Sequence, residues 1–229
     1  MAINAGPKIV EDGLVFCVDA ANKKSYPRTG TVWTDLTANK NNGTLTNGPT
    51  FDSANGGSIV LDGIDDYVTL TNTISLTDFT ASAVFNASSL NGGGAGIGGW
   101  GMFFGSDDTD NFIAIGFYDA ANPSAARLRI QDVNSNDSDL AYFPTLNEIV
   151  HLQVTQSGNN NIWYINGEQI GSSSNGSYAG MEITHLVHYQ TGSTLGIWGG
   201  NYYIASLYNR ALSAEEIKQN YNATRGRFQ

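Results

Sequence analysis

Gly56-Gly-Ser-Ile-Val-Leu-Asp-Gly-Ile-Asp-Asp-Tyr-Val-Thr-Leu70 contains two strands and the corner between them. Residues 58–61 are one apolar run of strand length, and residues 66–70 are another. Between them, Asp62-Gly63-Ile64-Asp65 makes a tight acidic turn. Glycine accepts backbone angles that other residues resist, and aspartate bonds its own backbone in turns. Two apolar runs around an Asp-Gly turn predict a β-rich chain.

Outward from that corner the same pattern recurs. Residues 14–18, 79–85, 102–104, 112–118, 127–131, 149–156 and 202–208 are apolar or alternating runs, separated by turns rich in Asp, Asn and Gly. Residues 161–165 and 168–171 flank Asn166-Gly167, a strong hairpin signal because both residues tolerate left-handed backbone angles. Between residues 23 and 49 the chain reads as mostly loop, with sharp reversals expected at Asn42-Gly43 and Asn47-Gly48. Residues 86–101 read as a polar, Gly-rich loop containing Gly94-Ala-Gly96-Ile-Gly98-Gly99. That run has the spacing of a dinucleotide fingerprint, but it neither leaves a strand directly nor opens a helix, so the fingerprint reading fails.

Only the C-terminal end predicts a helix. Ser213 and Glu216 have capping-box spacing, Leu212 and Ile217 form a hydrophobic staple, and Ile217 and Tyr221 share one face. No internal repeat and no linker divides residues 13–229, which read as one domain. Residues 1–12 read as an N-terminal arm broken at Gly6-Pro7, with Ile3, Ile9 and Val10 offered to a partner. Such an arm can add a strand to a neighbour's exposed sheet edge.

The segments 13–27 (GLVFCVDAANKKSYP), 56–70 (GGSIVLDGIDDYVTL) and 163–172 (WYINGEQIGS) resemble laminin-G-like domains of the concanavalin-like group. Residues 204–228 (IASLYNRALSAEEIKQNYNATRGRF) are similar to the closing segment of such domains in virion proteins of tailed phages. The resemblance runs from about Gly13 to Phe228. It implies an all-β jelly-roll sandwich of two antiparallel sheets with one short C-terminal helix. It further implies a non-enzymatic structural module on the virion exterior, on capsid or tail, that decorates the particle or adheres to a host-surface or environmental glycan. Other virion proteins would be its partners, homo-oligomers are compatible with this role, and calcium would bind at a sheet rim. Two other classes stand beside this one: a carbohydrate-active enzyme or its detached glycan-binding module, and a structural subunit without ligand.

Composition narrows these choices. A formal charge of -10 repels nucleic acid backbones and argues against a DNA or RNA partner. The content of 41% hydrophobic residues, with 4 Trp, 11 Tyr and 10 Phe, supports a sizeable core. Cys17, between Phe16 and Val18, has no intrachain partner and reads as a buried, inert thiol. The first residues carry no apolar signal core and no stretch approaches a membrane span, so synthesis in a host cytoplasm without membrane insertion is expected.

The chemistry candidates follow from residue type and spacing. Glycosidases need paired carboxylates on one strand face. Here Glu11, Glu148, Glu168, Glu182, Glu215 and Glu216 make no such cluster. His185 and His188, three apart on a strand, should face opposite ways and make a poor shared metal site. His151 reads as a hydrogen-bonded structural residue. Hard cations such as calcium want several carboxylates at a turn. Asp62, Asp65 and Asp66 offer one such set, and Asp107, Asp108 and Asp110 a second; the plainer alternative is that these aspartates bond backbone amides. Glycan-stacking candidates are Trp100, Tyr118, Trp198, Tyr202 and Tyr203, which core packing would equally explain. Gly199-Gly200 beside Trp198 keeps the glycan alternative open.

Overall fold

A computed structural model describes residues 7–89, 101–107, 113–118, 126–132, 137–142, 145–174, 178, 181–188, 190–191 and 194–228. In chain order the strands are β1 (Leu14–Asp19), β2 (Val32–Trp33), β3 (Gly43–Thr46), β4 (Thr50–Asp52), β5 (Ser58–Asp62), β6 (Tyr67–Leu76), β7 (Phe79–Ser89), β8 (Gly101–Gly105) and β9 (Ile113–Tyr118). There follow β10 (Arg127–Asp132), β11 (Ser138–Ala141), β12 (Ile149–Ser157), β13 (Asn160–Ile165), β14 (Glu168–Ser174), β15 (Met181–Leu186), β16 (Gln190–Thr191), β17 (Thr194–Leu195) and β18 (Gly199–Tyr208). Helix α1 (Ala214–Thr224) closes the chain.

One sheet runs β14-β13-β12-β7-β18-β5-β4, with β1 also paired to β18; the other runs β11-β10-β9-β8-β15-β6-β3-β2. Every pairing among the described strands is antiparallel. The expected two-sheet sandwich with one short C-terminal helix is therefore present.

Alternation along each strand sends one set of side chains between the sheets. Val150, Leu152 and Val154 of β12 face Ile113, Ile115 and Phe117 of β9 in one continuous core. At its centre the Phe85 and Phe103 ring centroids are 4.3 Å apart, and Trp198 lies 5.6 Å from each. Tyr202 sits 5.6 Å from Trp198 and 6.0 Å from Trp33. Aromatic pairs at such spacings add about 0.5–1.5 kcal/mol each beyond the area they bury. Cys17 lies in this wall of the sandwich, where burial, with Asp19 and Asp35 nearby, pushes its thiol up to about 12.

Helix α1 covers the outer face of the β12-β7-β18 sheet. Ser213 and Glu216 form the expected capping box, and Ile217 is fully buried with Tyr164, Tyr208 and Leu212. Val10 belongs to the same cluster, so it packs within its own chain instead of being offered to a partner as expected. The Val10 amide donates to Asn220 Oδ1 at 2.8 Å, Tyr208 Oη donates to the Val10 carbonyl at 3.0 Å, and Asn220 Nδ2 donates to Tyr208 Oη at 3.1 Å. This closed ring of three hydrogen bonds makes the segment from Pro7 onward part of the domain, since its buried backbone groups find partners there. Ile9 is half-buried, and Ile3 lies outside the described residues.

The turn expectations divide. Asn166 and Gly167 take φ of 52° and 76°, as the hairpin requires, and a Cβ on Gly167 would stand 2.9 Å from Tyr221 Cβ, so glycine also lets α1 approach. Asn47 and Gly48 also have positive φ. Asn42-Gly43, however, is no reversal: Gly43 is the first residue of β3, where a Cβ would meet Val68 Cγ1 at 2.5 Å. That glycine is there for close packing rather than for turning. β7 also runs on to Ser89, past the loop start predicted at residue 86, because it pairs with β18 along its whole length.

Candidate functional site

The acidic corner lies where β5 ends and β6 begins. Asp62 Oδ1 accepts from the amides of Ile64 at 2.7 Å and Asp65 at 3.3 Å, and Asp66 Oδ2 accepts from the Asp62 amide at 2.9 Å. The aspartates thus tie the turn together, as the plainer reading holds. They also converge: one oxygen from each of Asp62, Asp65 and Asp66 lies within 4.8 Å of the others. Asp66 is buried; burial, followed by repulsion from Asp62 and Asp65, raises its pKa against the lowering effect of its bond to the Asp62 amide. Gly63, at φ 75°, fits against Gly199, where a Cβ would meet the Gly199 amide nitrogen at 3.0 Å. Three hard oxygens with two exposed members fit a calcium ion that completes its shell with water or ligand oxygen.

Tyr67 leads directly from this corner onto the outer face of the second sheet. Its ring centroid lies 5.5 Å from that of His185 and 4.5 Å from that of His188, and the two imidazoles are 4.9 Å apart. The expectation that His185 and His188 face opposite ways is therefore wrong. β15 stops at Leu186, and Val187 adopts φ 63°, a left-handed conformation rare for a β-branched residue, which turns His188 back to the side of His185. Thr184 Oγ1 is 2.7 Å from His185 Nδ1, and Asp107 Oδ1 lies 3.7 Å from the same nitrogen. Burial lowers the pKa of both imidazoles, that of His188 to about 4, with His185 adding to the effect and Asp107 opposing it. Both rings are neutral at pH 7.

The remaining candidates fall elsewhere. Trp198 and Tyr202 are fully buried in the inter-sheet core, so neither offers a ring to a sugar. Tyr203, the next residue of β18, is buried on the outer face of the same sheet under Phe228, ring centroids 5.1 Å apart. Gly199-Gly200 serves packing, since a Cβ on Gly200 would stand 2.1 Å from the Asn86 carbonyl oxygen. Tyr118 is half-buried with the Arg129 guanidinium 3.6 Å above its ring, and Asp139 holds that arginine through Nε at 2.6 Å and Nη2 at 2.8 Å. Trp100, Asp108 and Asp110 lie outside the described residues, as does the 94–99 glycine run; Asp107 stands beside His185. His151 is structural as expected: its Nε2 lies 2.8 Å from Ser82 Oγ, and burial lowers its pKa to about 3. Tyr67, His185 and His188 are the residues that sequence reasoning missed as a group, because nothing local announces the kink at Val187.

The arrangement provides carboxylate acceptors at Asp62 and Asp65, in the corner that joins the two sheets, and at Asp107, with a half-buried aromatic ring at Tyr67 on the sheet that α1 does not pack on. Carboxylates and ring edges of this kind suit hydroxyl-rich ligands.

A family model for the concanavalin A-like lectin/glucanases superfamily, of laminin G type, matches residues 62–218. Among solved structures, domain 4 of a GH43 extracellular arabinanase from Geobacillus stearothermophilus, in complex with arabinotriose, is similar at 16% identity and TM-score 0.66, covering 93% of this chain and 100% of that one. The binding domain of Paraclostridial Mosquitocidal Protein 1 is similar at 19% identity and TM-score 0.62, over 92% of this chain and 52% of that one. Trypanosoma rangeli sialidase in complex with sialic acid is similar at 13% identity and TM-score 0.54, over 92% of this chain and 33% of that one. The chain thus spans about half of the mosquitocidal binding domain and a third of the sialidase. These likenesses establish a shared fold. No curated protein matches by sequence.

Proposed function

The chain belongs to the concanavalin A-like lectin/glucanases superfamily, and from that premise we propose that it is a non-enzymatic glycan-binding module on the exterior of a tailed-phage particle. The observation that carries the binding reading is Tyr67, which follows the Asp62-Asp65-Asp66 corner directly and packs on His185, itself 3.7 Å from Asp107. Tyr67 stacks on a sugar face, and the carboxylates accept hydroxyl protons or, with calcium at the corner, hold a cation that the hydroxyls complete. The arabinotriose complex of the similar arabinanase domain supports a sugar as the ligand class. A chain of net charge -10 favours neutral glycans over polyanionic ones. The virion placement rests on the resemblance of residues 204–228 to closing segments of phage structural proteins.

Glycan-array binding followed by calorimetry tests the module. Wild type should bind a neutral oligosaccharide without releasing reducing sugar, and Tyr67→Ala should weaken binding by about tenfold, the equivalent of one lost stacking contact of about 1.4 kcal/mol. Release of reducing sugar would make the protein an enzyme. Absence of glycan binding in a protein that copurifies with particles at high copy number would make it a structural subunit. Immunogold labelling of intact particles tests the location, and labelling confined to the lysate would overturn it.

A further inference from the structure

His185 and His188 are the one imidazole pair in contact among the described residues, and four features bear on what they can hold. Their ring centroids are 4.9 Å apart. With metal–nitrogen bonds of about 2.0–2.1 Å, two imidazoles on one tetrahedral ion place their ring centres about 5 Å apart. His188 is 7% exposed, and its buried Nδ1 has no hydrogen-bond partner. Leaving such a nitrogen unpaired is costly, as it is at His151 Nδ1, but among the described residues only His188 has a second imidazole beside it with which to share an ion. Thr184 Oγ1 lies 2.7 Å and Asp107 Oδ1 3.7 Å from His185 Nδ1, so Nε2 is the nitrogen left to serve as a ligand. A hydroxyl at hydrogen-bond distance behind a histidine fixes the ring of a metal ligand, and the Asp107 carboxylate nearby adds its charge. Finally, the pair exists only because Val187 holds φ 63°, backbone strain of a kind that clusters at functional sites.

We propose that His185 and His188 form a site for a divalent late transition-metal ion of the zinc, nickel and copper class. Nδ1 of His188 and Nε2 of His185 are the protein ligands, Asp107 and Thr184 orient His185, and water or a ligand's oxygen fills the other positions. Neutral imidazoles select this class, whereas the all-oxygen corner at Asp62, Asp65 and Asp66 selects hard ions, so the two sites take different metals. The inference is independent of the glycan reading, since its probe is the metal alone.

The test is calorimetry of the untagged full chain with zinc chloride, in parallel with nickel, and with calcium as a competitor. One equivalent should bind in the micromolar range and be unaffected by excess calcium. His188→Ala should weaken it at least tenfold, while His151→Gln and the pair Asp62→Asn with Asp65→Asn should leave it unchanged. Should His188→Ala fail to fold, imidazole resonances of the wild type decide the matter: zinc should shift those of His185 and His188 and leave those of His151 in place. No binding at millimolar zinc, binding that survives loss of His188, or shifts confined to His151 would overturn the assignment.

Discussion

Asn220→Ala is the sharpest test of how the chain's two ends are joined. Asn220 is 3% exposed on the buried face of α1, and its side chain accepts from the Val10 amide at 2.8 Å and donates to Tyr208 Oη at 3.1 Å. Removing the carboxamide leaves the buried Val10 amide without an acceptor, and each buried group left unpaired costs about 1–3 kcal/mol. The Tyr208 hydroxyl still donates to the Val10 carbonyl, so only its acceptor role is lost. The total should be about 2–4 kcal/mol, which lowers the melting temperature by about 5–15 °C in a chain of this size. Tyr208→Phe removes the hydroxyl itself and leaves the Asn220–Val10 bond, so it should cost less, about 1–2 kcal/mol. Urea unfolding followed by tryptophan fluorescence gives the midpoint and slope of each variant. A midpoint loss at constant slope is the expected result. An Asn220→Ala cost below about 0.5 kcal/mol would mean the segment around Val10 frays in solution and contributes nothing, which would refute the reasoning.

Further outcomes follow from the same packing. Ile217→Ala, which empties a fully buried site, should cost about 2–4 kcal/mol, against about 1 kcal/mol for Ser213→Ala at the cap; equilibrium unfolding that ranks them the other way would make the helix peripheral. Gly200→Ala should cost about 2–4 kcal/mol, because φ 139° and the Asn86 carbonyl at 2.1 Å from the added carbon both resist it; a neutral melting curve would contradict this strand geometry. Calcium at about a hundred times its dissociation constant should add about 2.7 kcal/mol and raise the melting temperature by about 5–10 °C, an effect that Asp62→Asn with Asp65→Asn should remove. Identical melting in chelator and in excess calcium would take calcium out of the acidic corner.

What residues 56–70 and their neighbours determined by themselves is the class of fold and its local joints. Alternation of period two, the Asn166-Gly167 hairpin, the Ser213–Glu216 capping box and the Asp62–Asp66 corner all depend on contacts a few residues apart, so their chemistry can be read in the linear order. Tertiary structure alone decided where amphipathic residues go. Trp198 and Tyr202 are equally good sugar platforms and core residues until the opposite sheet covers them. Gly43 looks like a turn residue until Val68 is seen to need its space. His185 and His188 meet through a left-handed valine, the residue type whose branched side chain most disfavours that conformation, so no propensity anticipates it. Asn220, a weak helix former in an otherwise amphipathic helix, acquires its meaning from Val10, 210 residues away along the chain. Local rules specify strands and turns, but the closing of one face over another joins positions that the linear order keeps apart.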